Sequence, residues 1–319
     1  MDNAVFLDLE TLDRSDLDLS PLRAAVTNWE WHATTTPDEV KARIAGAGVV
    51  VTNKVILDAP TLDAADALRL VCVAATGTNN VDLETARRCG ITVCNVRDYG
   101  TPSVVEHVFA LVLSLRRRLQ DYRQALARGE WQRSPHFCLL DYPMTELRGK
   151  TLGIIGYGVL GQAVARVGEA FGMRILVSQR PGGPAAADRT PLDELIATAD
   201  VISLHCPLTE ATRGLIGADE LARMKPDALL INTARGAIVD AQALASSLRR
   251  GEIGGAGIDV LDPEPPAANH PLLATDLANL IVTPHVAWAS REARQRLADQ
   301  LAETILAYRA GRPINVVSP

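Results

Sequence analysis

Basic runs are almost missing from this 319-residue chain, in which no stretch of Lys and Arg exceeds Arg116-Arg117-Arg118 on one predicted helix and the net charge is -6. Without a cationic field nothing draws a polyanionic backbone, so nucleic acid is excluded as a partner class. No apolar run reaches membrane-crossing length, and Met1-Asp2-Asn3 opens no basic-then-apolar leader. The expectation is a cytoplasmic protein without a membrane partner. Cysteine is sparse: Cys72, Cys89, Cys94, Cys138 and Cys206 form an odd set without CxxC spacing. Three of them lie in or beside apolar strand-like runs, which points to buried free thiols and away from disulfides or a metal site. Repeats and low-complexity segments are missing too, and only 180–187, rich in Pro, Gly and Ala, stands out as a loop.

What is present is apolar sequence in short alternating pieces. At 47% hydrophobic content the chain is long enough for about two domains with buried cores. Short apolar runs alternate with amphipathic helical stretches throughout, the pattern of parallel sheets covered by helices on both faces. Strands are predicted at 4–9, 29–33, 49–52, 70–74 and 91–95. Helices are predicted at 37–45 and 82–89, the latter closed by Gly90, and from Thr101-Pro102 through Leu115. His107 on that last helix is expected to be a packing residue. A looser segment, 129–149, precedes a second series of strands at 151–155, 175–178, 201–205, 228–232, 255–260 and 280–283. A helix over 291–310 follows the last strand and is expected to return to the first unit. The expected fold is α/β, with two doubly wound parallel-sheet domains. A dinucleotide-binding Rossmann domain, 101–285, is inserted into a flavodoxin-like substrate domain made of 1–100 and 286–319.

Chemistry enters at Gly156-Tyr157-Gly158-Val159-Leu160-Gly161, which closes a strand and opens a helix. The first glycine permits the tight turn and the second lets backbone amides approach a pyrophosphate. The third lets helix and strand pack closely, and the phosphates meet the helix N-terminus. A dinucleotide is the ligand this context predicts. About 20 residues on, where an acidic side chain would hold a ribose 2′-hydroxyl, the chain has Ser178-Gln179-Arg180. A 2′-phosphate would meet hydrogen-bond donors and a cation there and no carboxylate, so NADP is expected in preference to NAD. Three further polar residues follow strands of the second unit: Arg235 in Asn232-Thr233-Ala234-Arg235-Gly236, Glu264 in Asp262-Pro263-Glu264-Pro265-Pro266, and His285 in Thr283-Pro284-His285. In open parallel sheets the carboxyl ends of the strands line the ligand crevice.

These motifs, in this order behind the glycine loop, closely resemble the D-isomer-specific 2-hydroxyacid dehydrogenases. The resemblance spans nearly the whole chain, including the stretches 75–82, 95–99, 106–107 and 147–151. Reduction of a 2-keto acid needs a cation for the carboxylate, a hydride donor at the carbonyl carbon, and an acid for the oxygen as charge develops. Arg235, with its planar fork, suits the first task. His285 suits the last, and Glu264 beside it favours the charged imidazole. The resemblance assigns the same catalytic roles to this trio. It also implies backbone donors at Thr76 and Gly77 for the substrate carboxylate and backbone contacts from Cys206 and Pro207 to the dinucleotide, with Cys206 not a nucleophile. Asp259 would reach the nicotinamide carboxamide. Thr233 and Ala234 join the cofactor set, and Asn53 at a strand end is a further substrate candidate. The implied substrate is a small 2-keto acid, hydroxypyruvate or glyoxylate. Alternatives are a reductase for bulkier 2-keto acids and a cofactor-sensing, corepressor-like binding protein. A formate or phosphite dehydrogenase is more remote, and a phosphoglycerate dehydrogenase is disfavoured by the absence of an appended regulatory domain and of phosphate-binding cations in the first unit. The 101–115 helix and the 129–149 segment are expected to form a homodimer contact.

Overall fold

In the computed structural model, which describes residues 2–180, 183, 186–274 and 276–317, the chain divides into two compact units. One comprises Met1–Gly100 with Ala289–Pro319 and the other Thr101–Trp288. The second crossing lies at Trp288 and not at residue 285. The reason is local: the amides of Val286 and Ala287 donate to the Asp259 carboxylate and Trp288 Nε1 donates to the His285 carbonyl, so the turn after the last strand stays with that strand.

The first unit holds strands β1 (Asn3–Phe6), β2 (Asn28–Trp31), β3 (Val49–Thr52), β4 (Leu70–Val73) and β5 (Thr92–Asn95), all parallel, in the order β2-β1-β3-β4-β5. Between them run short helices α1 (Ser20–Ala24), α2 (Val40–Ile44), α3 (Ala59–Asp63) and α4 (Leu83–Arg88). Asp58 and Asp82 cap α3 and α4 through the amides of Thr61 and Thr85. β3 and β4 are buried at every residue, as a sheet covered on both faces requires.

The second unit begins with α5 (Thr101–Arg116) and α6 (Leu119–Ala127). The arginine triplet does not lie on one helix. Arg116 is buried and donates to the Asp200 carbonyl at 2.5 Å, while Arg118 takes a left-handed φ of 54° that ends the run. A parallel sheet follows: β6 (Thr151–Ile155), β7 (Arg174–Val177), β8 (Val201–Leu204), β9 (Leu229–Asn232), β10 (Gly255–Ile258) and β11 (Leu280–Val282). Its connections are α7 (Val159–Ala170), α8 (Leu192–Thr198), α9 (Ala218–Arg223) and α10 (Ala241–Arg250). The period of two along the strands sorts the core. Ile155, Ile202, Leu204 and Leu230 face one cluster, and Ile154, Val201, Leu229 and Ile231 face the other, together with α5 residues Val108 and Val112.

The strand order is β11-β10-β9-β8-β6-β7. The third strand of this sheet therefore pairs with the first and not with the second, so the order reverses between β6 and β8. Open α/β sheets bind ligands at such a switch point. The final helix, α11 (Arg291–Arg309), packs on α1 and β4 of the first unit. Arg294 pairs with Asp16 at 2.6 Å and Arg309 donates to the Ala25 carbonyl.

Candidate active site

The glycine loop sits at the switch point. Gly156 has φ 99°, and a Cβ there would overlap the amide nitrogen of Cys206 at the end of β8. A Cβ on Gly161 would overlap the Gly156 carbonyl oxygen. Both positions are thus closed by the protein's own backbone. Gly158 is different: a Cβ there would meet nothing within 4 Å. It is the N-cap of α7, it supplies no side-chain cap, and Val159 and Leu160 begin the helix with their amides directed out of its first turn. Open space before an uncapped helix N-terminus fits an anion, and between β6 and β8 it fits the pyrophosphate of a dinucleotide. At the end of β9 the Thr233 hydroxyl is buried without a partner among the described residues, a further polar group for such a ligand.

At the end of β7, Ser178 is buried and its hydroxyl donates to the Gln179 carbonyl, so it does not face outward as a free donor. Gln179 is half-buried and Arg180 exposed. At the end of β8 burial pushes the Cys206 thiol up from its ordinary value, which keeps it protonated and removes it as a nucleophile. Pro207 follows, exposed, its carbonyl taken by the Thr212 hydroxyl. His205 had no assigned part. Its Nε2 lies 2.8 Å from the Ser203 hydroxyl, and burial pushes the imidazole down to about 4.

The catalytic candidates sit past three neighbouring strands of one sheet. Beyond β9, buried Asn232 shapes the turn that carries Arg235. Its Oδ1 accepts the Ala234 amide at 3.0 Å and its Nδ2 donates to the Arg235 carbonyl at 2.9 Å. The Arg235 side chain is exposed, with one guanidinium N–H on the Ala234 carbonyl. Beyond β10, Glu264 is held by the Leu261 amide on Oε1. Its Oε2 lies 2.7 Å from Nδ1 of His285, which follows β11. A carboxylate at Nδ1 fixes the proton on that nitrogen and leaves Nε2 for chemistry.

His285 takes a left-handed φ of 55°, rare for a residue with a side chain, and the network beneath explains how it is kept there. Asp259 is 1% exposed. One oxygen accepts the Thr283 hydroxyl at 2.5 Å and the Val286 amide, and the other accepts the Ala287 amide. The Asp259 carbonyl accepts the His285 amide at 2.7 Å. The carboxylate expected at a nicotinamide carboxamide thus holds the histidine turn through these three bonds, as a buried charge must be hydrogen-bonded to be tolerated. His107 joins this network, with Nε2 2.9 Å from the Thr283 hydroxyl. Since that hydroxyl donates to Asp259, His107 must be the donor.

In the first unit, Asn53 is 3% exposed and turned inward, its Nδ2 donating to the Thr11 hydroxyl. A substrate contact for it is not supported. The reason is Asp8, a buried carboxylate past β1 that gathers the amides of Asn53, Lys54 and Val55. Burial raises the Asp8 carboxyl above its usual range despite those amides. Thr76 and Gly77 follow β4, exposed and half-buried, and among the described residues their amides have no recorded acceptor.

A family model described as "D-isomer specific 2-hydroxyacid dehydrogenase, NAD binding domain" matches residues 109–287. A glycerate dehydrogenase of Methylorubrum extorquens is 46% identical over 313 residues, 98% of each chain. A hydroxypyruvate reductase of Blautia hydrogenotrophica is 38% identical over 98% of this chain and 99% of its own. Among solved structures, an acyclic imino acid reductase in complex with NADPH and D-Arg superposes with a TM-score of 0.87 at 28% identity, covering 99% of both chains.

Proposed function

This chain belongs to the D-isomer-specific 2-hydroxyacid dehydrogenases, and we propose that it reduces the C2 carbonyl of a small 2-keto acid, hydroxypyruvate or glyoxylate, to D-glycerate or glycolate. The observation that carries this reading is the Glu264–His285 pair at 2.7 Å, on the sheet end that also presents Arg235. A reduced nicotinamide, when bound, would supply the hydride for the carbonyl carbon. Arg235 holds the keto-acid carboxylate with its fork and places the carbonyl for attack. His285, held by Glu264 at Nδ1, gives its Nε2 proton to the carbonyl oxygen as negative charge gathers there. The cost of leaving that oxyanion unprotonated is what the imidazole removes, typically a factor of about 10² to 10⁴ in rate. Small acids are favoured because the relatives named glycerate dehydrogenase and hydroxypyruvate reductase align over nearly the full chain.

NADP is the proposed cofactor in preference to NAD, supported by Gln179-Arg180 past β7, where the run 178–180 has no carboxylate to repel a 2′-phosphate. A homodimer is also proposed, supported by apolar side chains left exposed between residues 119 and 144.

The decisive measurement is absorbance of the reduced cofactor with hydroxypyruvate, glyoxylate and pyruvate, each with NADPH and NADH. NADPH oxidation by the first two is expected, slowed about 10² to 10⁴-fold in His285→Ala. No oxidation by any keto acid would overturn the reductase, and faster turnover with NADH would overturn the cofactor preference alone.

A further inference from the structure

Tyr157, inside the glycine loop, carries a cation on its ring: the Arg189 guanidinium carbon lies 4.8 Å from the ring centroid. The backbone brings these distant residues together. After β7 the chain leaves through Gln179 and Arg180, then returns so that Thr190 pairs with Ser178 as a parallel bridge. The Thr190 amide donates to the Val177 carbonyl and the Gln179 amide donates to the Thr190 carbonyl, both at 2.8 Å. Arg189 therefore stands beside the strand end where a ribose would lie, stacked over the loop that would hold the pyrophosphate. Its side chain is 26% exposed, and its one ion pair among the described residues is to Asp188 at 3.4 Å, a carboxylate 77% exposed.

We propose that Arg189 is a specificity-determining residue that binds the 2′-phosphate of the cofactor's adenosine, with Tyr157 holding its guanidinium in place. The proposal rests on the NADP reading given above and extends it to a residue and a device. A guanidinium seated over a ring still has N–H groups for oxygen atoms, which a phosphate accepts in pairs. A ring beneath the cation also limits the rotamers that must be frozen on binding. The single exposed carboxylate of Asp188 is a weak competitor, since water screens it, whereas a phosphate dianion brings two charges and three acceptors. The other cation over a ring among the described residues, Arg23 over Trp31, lies in the first unit, whereas the glycine loop lies in the second.

The test is calorimetric binding of adenosine 2′,5′-bisphosphate and of 5′-AMP to the intact protein and to Arg189→Ala, Arg180→Ala and Tyr157→Leu. Unsubstituted protein should bind the bisphosphate more tightly. Arg189→Ala should lose on the order of tenfold for the bisphosphate, as one charge-assisted hydrogen bond implies, with 5′-AMP unchanged. Tyr157→Leu should lose a smaller factor in the same direction. If Arg189→Ala keeps the full preference while Arg180→Ala loses it, Arg189 is no ligand and the NADP reading stands. If unsubstituted protein shows no preference, the NADP reading falls and this proposal with it.

Discussion

His205 shows what a single half-buried ring, shut away from most of the solvent, does to the molecule. Its imidazole titrates near 4 in the fold and near 6.5 outside it, because burial disfavours the charged form. Between those values the unfolded chain takes up a proton that the folded chain refuses. Stability is therefore retained above pH 6.5 and lost as pH falls toward 4, by up to about 3 kcal/mol. His205→Gln keeps a partner for the Ser203 hydroxyl and cannot titrate, so its urea midpoint should fall less between pH 7 and pH 4.5 than that of the unsubstituted protein. Equal falls in both would remove His205 from the account. At this scale the sequence was a fair guide to position where a polar residue follows a strand: Arg235, Glu264 and His285 stand past adjacent strands, and the last two are bonded. It misled where the role depends on which way a side chain turns. Asp259 and Asn53 sit at strand ends like ligand residues, yet both are turned inward, and nothing local to either marks the Thr283 or Thr11 hydroxyl waiting for it.

At the scale of elements, the glycine turn separates into positions closed by the protein's own backbone and one that is open. Gly158 has φ -78° and open space, so Gly158→Ala should keep the thermal midpoint and lose dinucleotide affinity at least tenfold, its methyl occupying the phosphate's place. Gly161→Ala should do the reverse at first hand: the helix must move off the Gly156 carbonyl, costing about 1–3 kcal/mol of stability. Melting curves and calorimetry on the two variants check this, and a destabilised Gly158→Ala would contradict it. The strands were legible because buried parallel strands are nearly unbroken apolar runs, and β3 and β6 fall where those runs do. The break between α5 and α6 was not. Arg116 looks like a surface residue in sequence and is buried, and a left-handed Arg118 has no marker that glycine would have provided. The Tyr157–Arg189 stack was hidden for another reason: only the return of the chain to β7 makes neighbours of residues so far apart.

For the molecule as a whole, the segment 119–144 leaves Phe137 91% and Leu140 78% exposed, with Leu119, Trp131 and Met144 also open to solvent. Isolated apolar residues on a surface are ordinary, and this many in one stretch is what the proposed homodimer contact would cover. Light scattering should give twice the mass of a single chain, and Phe137→Asp with Leu140→Asp should give one chain mass with unchanged circular dichroism. A single-chain mass for the unsubstituted protein would dispose of the dimer. The alternation of strands and helices announced two sheets, whereas the exchange of the third strand across the first in the second sheet is a matter of long-range pairing that no local pattern encodes. The placement of α11 has a consequence in time. Because that helix packs on α1 and β4, and the Val317 amide donates to the Val93 carbonyl, the first unit, whose strands are all made before the second unit, must wait for residues made after it before it is whole.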